Sequence, residues 1–131
     1  MLTGSCLCGS IVYEASATIG QIVHCHCHTC RKTHGAAFSS VAAVPRSAFR
    51  WTHGEAHLGA IESSPGKFRR FCMRCGSHMM AERTASSVVL LRLGCLDTPL
   101  GELPQIHIWR SDAATWYDPT RVLPEKQEGL T

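Results

Sequence analysis

The sequence predicts a mostly-β fold of short strands joined by cysteine-rich loops. Apolar stretches are short and are broken by Gly, Pro, Ser and Thr. That is a pattern of strands and turns rather than of long helices. The eight cysteines fall mostly in tight groups. A length of 131 residues fits one domain, large enough to bury a core without disulfides.

Taken in order, residues 10–15 read as a strand with Ile11 and Tyr13 on one face, and 21–24 as a second. Residues 37–44 read as a buried strand ended by Pro45, which has no N–H for a ladder. Strands follow at 57–61, 67–71, 78–82 and 87–93, and 105–110 closes the set. Helix is confined to one or two turns over 29–33, with Gly35 as a left-handed cap. Another turn is expected at 47–50. Trp51, Trp109 and Trp116 are assigned to the core, and one of them could line a pocket. Residues 118–131 carry two prolines and several charges. They are expected to be an irregular tail on a single domain spanning 1–131.

The formal charge is +3, with arginine supplying most of the positive side chains. This is mildly basic, without the dense basic face of a nucleic-acid binder. It suits a small anionic ligand, because arginine forks match carboxylates. The opening Met1-Leu-Thr-Gly-Ser-Cys6 has no charged segment followed by an apolar one, and no apolar run reaches membrane-spanning length. A cytoplasmic location is therefore expected. In a reducing compartment clustered cysteines bind metal or act in catalysis more often than they form disulfides.

The cysteines form Cys6-Leu-Cys8, Cys25-His-Cys27-His-Thr-Cys30 and Cys72-Met-Arg-Cys75, with Cys95 alone. Around a tetrahedral zinc, neighbouring sulfurs lie roughly 3.8 Å apart. In extended chain, residues two apart point the same way, so a C-x-C pair can chelate one ion. A C-x-x-C pair does so from a tight turn. Gly9 and Gly76 directly follow Cys8 and Cys75 and let such turns close. Two such pairs make one closed four-sulfur site, which is structural. Cys25, Cys27 and Cys30 supply three sulfurs from one loop, the arrangement of a catalytic zinc with an open position. Disulfides, an iron–sulfur cluster, or a second structural zinc closed by a nearby histidine are the other chemistries open to these residues. Cys95, between leucines in Leu93-Gly-Cys95-Leu96, reads as a small buried hydrophobe.

Gly4-Ser-Cys6-Leu-Cys8-Gly9, His24-Cys25-His-Cys27-His-Thr-Cys30-Arg31-Lys32 and Phe71-Cys72-Met-Arg-Cys75-Gly76-Ser77 resemble the glutathione-dependent formaldehyde-activating family, which includes centromere protein V. The likeness continues through Ser63-Ser-Pro-Gly66, Gly94-Cys-Leu-Asp97 and His107-Ile-Trp109. The resemblance implies a zinc β-tent, a mostly-β fold of stacked short antiparallel sheets with metal-bearing loops. It implies a structural zinc on Cys6, Cys8, Cys72 and Cys75 and a second zinc on Cys25, Cys27 and Cys30. It also implies a carbon–sulfur lyase that joins glutathione and formaldehyde into S-hydroxymethylglutathione.

On this reading two zincs are bound, glutathione is the substrate, and Cys25, Cys27 and Cys30 capture its thiolate. A coordinated thiol is deprotonated, and the thiolate is the nucleophile. His26, His28 or His34 is expected to protonate the new alkoxide, with His26 first among them. Arg31 and Lys32 are the first candidates for glutathione's carboxylates, followed by Arg69, Arg70 and Arg110. The expected partner is a small thiol, with neither nucleic acid nor membrane, and a homodimer is left open. The alternative is a non-enzymatic zinc domain that binds protein or chromatin or senses thiol redox state.

Overall fold

A computed structural model describes residues 1–130 of the chain. The fold is mostly β, with two sheets. The smaller sheet has the order β1 (Leu2–Ser5), β2 (Val12–Ala15), β5 (Phe49–His53), with both pairings antiparallel. The larger holds seven strands: β3 (Ile22–Cys25), β4 (Ser39–Pro45), β6 (Leu58–Ser64), β7 (Lys67–Cys72), β8 (His78–Arg83), β9 (Val88–Arg92) and β10 (Gln105–Ile108). Their order across the sheet is β10-β3-β4-β9-β8-β7-β6. Its pairings are antiparallel except that β10 lies parallel to β3 at one edge. No helix among the described residues is long and apolar enough to cross a membrane.

Two strands beyond those expected complete the small sheet. β1 reads Leu-Thr-Gly-Ser and looks like loop. Its Gly4 lies against the Tyr13 ring, where any added carbon would collide, so glycine is there for packing rather than for a turn. β5 begins within the turn expected at 47–50; the turn itself is a short 3-10 segment, Arg46–Ala48, just before it. Phe49 and Trp51 of β5 pack their rings on Tyr13 at 5.1 and 6.0 Å.

The core joins the two sheets. Leu2, Ile11, Tyr13 and Ala15 from the small sheet and its loop meet Ala42, Val44, Met79, Met80, Val89 and Leu91 from the large one. Period-two alternation then gives the large sheet a second face. In β9, Val89 and Leu91 enter the core, while Leu90 and Arg92 face away from it. That second face carries the functional candidates. Trp51 packs against the core, but Trp109 and Trp116 are 59% and 72% exposed, so two of the three tryptophans are not core anchors. Residues 118–130 hold neither helix nor strand, and residue 131 of the expected tail lies outside the described residues.

Gly54 turns β5 back with φ at 74°, in the left-handed region, and a Cβ there would strike the Ser10 carbonyl. Gly54→Ala therefore combines a disfavoured backbone with a clash against main chain that cannot swing aside. It is expected to cost about 3 kcal/mol or more, read as a lowered urea midpoint.

Candidate metal centres

Cys6 and Cys8 follow β1 of the small sheet, and Cys72 and Cys75 flank the end of β7 of the large one. The four sulfurs lie within 4.8 Å of one another. Cys6 Sγ is 3.6 Å from Cys8 Sγ, which is 3.8 Å from Cys72 Sγ. These are the sulfur spacings of a tetrahedral ion, so the set could hold a metal. Backbone N–H groups of Ile11 and Arg74 donate to Cys6 and Cys72. The Ser77 hydroxyl and backbone hold the Cys75 thiol down to about 5. A metal here would staple one sheet to the other.

The second set is built by a strand end and a helix start. Cys25 closes β3, Cys27 is the N-cap of α1 (His28–His34), and Cys30 lies in its first turn. The Cys27 sulfur accepts from the Cys30 N–H at 3.3 Å. α1 ends as expected at Gly35, with φ at 56°. The three sulfurs lie within 4.8 Å of one another, and no fourth His, Cys, Asp or Glu among the described residues joins them. Burial pushes the Cys25 thiol up to about 12. At Cys30 burial also acts upward, but hydrogen bonds, Arg69 among the donors, outweigh it and leave the thiol at about 7.

These sulfurs form one wall of a cavity of about 470 Å³. Its other walls follow from strand register. Arg69 of β7 lies opposite Ala81, Lys67 opposite Arg83, and Arg92 of β9 opposite Val41. Lys67, Arg69, Arg83 and Arg92 all line the cavity, with Ser63, Ser64, His28 and Trp109. Arg69 is only 2% exposed. Its Nε donates to Ser63 Oγ at 2.8 Å, and its Nη atoms lie 3.7 and 3.9 Å from Cys30 Sγ. Arg92 is 5% exposed; burial and the nearby Arg69 charge hold it down to about 10 against the pull of the cysteines. Trp109 has φ at 59°, a rare conformation for a bulky residue, and stands at the cavity edge.

Several residues named from the sequence fall elsewhere. His26 points away from the sulfurs because Cys25 and Cys27 take the near side of an extended segment. It is fully buried, 2.8 Å from His107 through Nε2, and packed on Phe38. Arg31 and Lys32 of α1 do not line the cavity, and neither do Arg70, paired with Glu82, nor Arg110. His34 lies in a neighbouring cavity, and burial holds its imidazole down to about 3. His28 and Arg69 alone of the named histidines and cations line the sulfur pocket. Sequence reasoning missed Lys67, Arg83 and Arg92; their signal was their place in alternating strands whose second face is covered. Cys95 stands outside both cysteine sets, its thiol donating to the His78 carbonyl.

A family model for the glutathione-dependent formaldehyde-activating enzyme matches residues 1–112. A Phaeosphaeria nodorum protein named "Putative glutathione-dependent formaldehyde-activating enzyme" is 29% identical over 116 residues, 87% of this chain and 55% of its own length. An Aspergillus terreus protein of the same name is 30% identical over 97 residues, covering 72% and 44% of the two chains. The chain thus spans about half the length of these relatives. A crystal structure of a Rhodobacter sphaeroides protein shares the fold, with a TM-score of 0.65 at 21% identity over 79% of this chain and 99% of that one. The match over most of its length, through all three cysteine groups, places this chain in the glutathione-dependent formaldehyde-activating family.

Proposed function

We propose that the chain is a zinc enzyme of the carbon–sulfur lyase type that acts on glutathione adducts, forming S-hydroxymethylglutathione from glutathione and formaldehyde. One observation carries the reading: three sulfurs, with no fourth protein ligand among the described residues, form the wall of a cavity lined by four cations and one acid, Asp112. Three protein ligands and a free position are the arrangement of catalytic zinc. Eight free thiols, seven of them in two metal-type sets, fit a reducing compartment such as the cytoplasm.

Zinc on Cys25, Cys27 and Cys30 would supply one thing, an incoming thiol held as its thiolate at neutral pH. The chain's own side chains supply the rest. Lys67, Arg83 and Arg92 offer donors for glutathione's two carboxylates. Arg69 points Nε at Ser63 and both Nη atoms at Cys30 and is buried, so it is assigned to the sulfurs rather than to substrate. Trp109, also part of the cavity lining, offers an apolar surface beside the sulfurs. As the sulfur bonds to the formaldehyde carbon, the carbonyl electrons pass to oxygen, and the proton given up by the thiol returns to that oxygen through a ring nitrogen of His28, which lines the cavity.

Two-dimensional exchange NMR between free glutathione and its formaldehyde adduct tests the reading. Zinc-loaded protein in catalytic amount is expected to accelerate exchange well beyond the spontaneous rate. Exchange at the uncatalysed rate sinks the enzyme assignment for this substrate.

A further inference from the structure

A second cavity, of about 450 Å³, lies beside the thiol pocket. His34 from the end of α1, His78 from the start of β8, Arg92 from the end of β9 and Cys95 line it. Arg92 lines both cavities and so stands between them.

The Arg92 side chain has a pattern that calls for a ligand. Its Nε and Nη2 are buried, and neither has a hydrogen-bond partner among the described residues. The cysteine sulfurs do not satisfy them; Arg69 occupies Cys30. Nε and Nη2 are the side-by-side N–H groups of a guanidinium, the edge that grips both oxygens of one carboxylate. Leaving such charged donors buried without an acceptor is costly, and native proteins rarely do so. His34 Nε2 and His78 Nδ1 are also buried without a partner, and the two rings lie 4.9 Å apart. Among the described residues no Asp or Glu lines the cavity. One fixed positive fork, two imidazoles and no negative side chain make a polar chamber set for an acceptor.

We infer that this cavity binds a carboxylate, held by the Nε–Nη2 edge of Arg92 with His34 and His78 donating from beside it. A neutral imidazole carries one N–H that either nitrogen can hold, so each can turn a donor inward. A single planar fork and neutral rings match a monoanion better than a phosphate dianion, which asks for more positive charge. The carboxylate is either that of a separate small acid or one end of the thiol substrate reaching past Arg92. The inference stands on the cavity and does not need the thiol chemistry.

The test uses the full, zinc-loaded chain labelled with 15N-arginine. Arg92 Nε–H is assigned by its loss in Arg92→Lys, and sodium acetate is titrated in against sodium chloride at constant ionic strength. The Arg92 signal is expected to move and saturate with acetate while the Arg69 signal stays put. His78→Gln, which leaves the arginines in place, is expected to weaken acetate binding by roughly tenfold, the loss of one charge-assisted bond. If Arg92→Lys fails to fold, an Arg signal that saturates with acetate in the unaltered chain and weakens in His78→Gln upholds the site equally. An arginine spectrum that responds to acetate no more than to chloride overturns the inference. S-methylglutathione, which has no free thiol, separates the sources. Displacement of acetate assigns the carboxylate to the substrate, and undisturbed acetate binding assigns it to a separate acid; both uphold the site. Because no thiol takes part, failure here is distinct from failure of glutathione exchange.

Discussion

Cys72→Ser is expected to abolish the folded state, while Cys27→Ser leaves it standing. Cys72 is fully buried, its sulfur 3.8 Å from that of Cys8. The four-sulfur set joins a loop of the small sheet to the end of β7 in the large one. Structural zinc contributes about 10–16 kcal/mol in small zinc domains, as much as the whole stability of an ordinary domain, about 5–15 kcal/mol. Breaking the set therefore removes a term as large as the total. Cys27 is different. It is half-buried and serves α1 as an N-cap, accepting from the Cys30 N–H, and serine is itself a preferred cap. Zinc per chain, with far-UV circular dichroism on heating, checks both. Unaltered protein is expected to hold about two zincs, and Cys27→Ser about one with a lowered but still cooperative melt, because a lost ion takes its binding free energy with it. Cys72→Ser should give an unfolded spectrum, which excess chelator should reproduce in the unaltered chain. A Cys72→Ser protein that melts like the parent would sink the closed structural site.

How much of this was legible follows from which signals are local. The cysteine groups could be read because chelation by C-x-C and C-x-x-C is a matter of a few residues, and the sulfurs within each set lie together in space. The helix stop at Gly35 was local too. β1 and β5 were not legible. Gly4 looks like loop until the Tyr13 ring covers it, and the pairing of β2 with β5 joins residues far apart in sequence. The cations were misjudged for a related reason. Lys67, Arg69 and Arg92 sit at alternating positions of strands, which in a sheet with one solvated face would be surface charge. Here α1 and its sulfurs lie over that face, so Arg69 is buried. Arg31 and Lys32, neighbours of Cys30 in sequence, are turned away by the helix.

Arg69→Leu is expected to weaken metal binding at the second set by about 10- to 100-fold, the usual effect of losing a partner of the ligands. Three thiolates around a divalent zinc carry a net negative charge, and this set is largely buried. Arg69 places a buried guanidinium within 3.7 Å of Cys30 Sγ and is fixed in turn by Ser63. It offsets that charge and draws electron density from one sulfur, which also makes the metal a better acceptor for a fourth thiol. The dependence runs both ways. Without the metal Cys25 is held neutral by burial, and Cys30, at about 7, is only partly ionised, so Arg69 is then a buried charge incompletely balanced. Replacing such a charge by an apolar side chain of similar size is neutral or stabilising. The substitution should therefore act with opposite signs in two backgrounds. In the parent it lowers the affinity of the second zinc, read by competition with a chromophoric chelator while the first zinc stays bound. In Cys27→Ser, which lacks the second zinc, it leaves the urea midpoint unchanged or raises it. A purely structural arginine would lower the midpoint in both backgrounds, and that result, or an unchanged second-site affinity in the parent, would remove Arg69 from the metal chemistry.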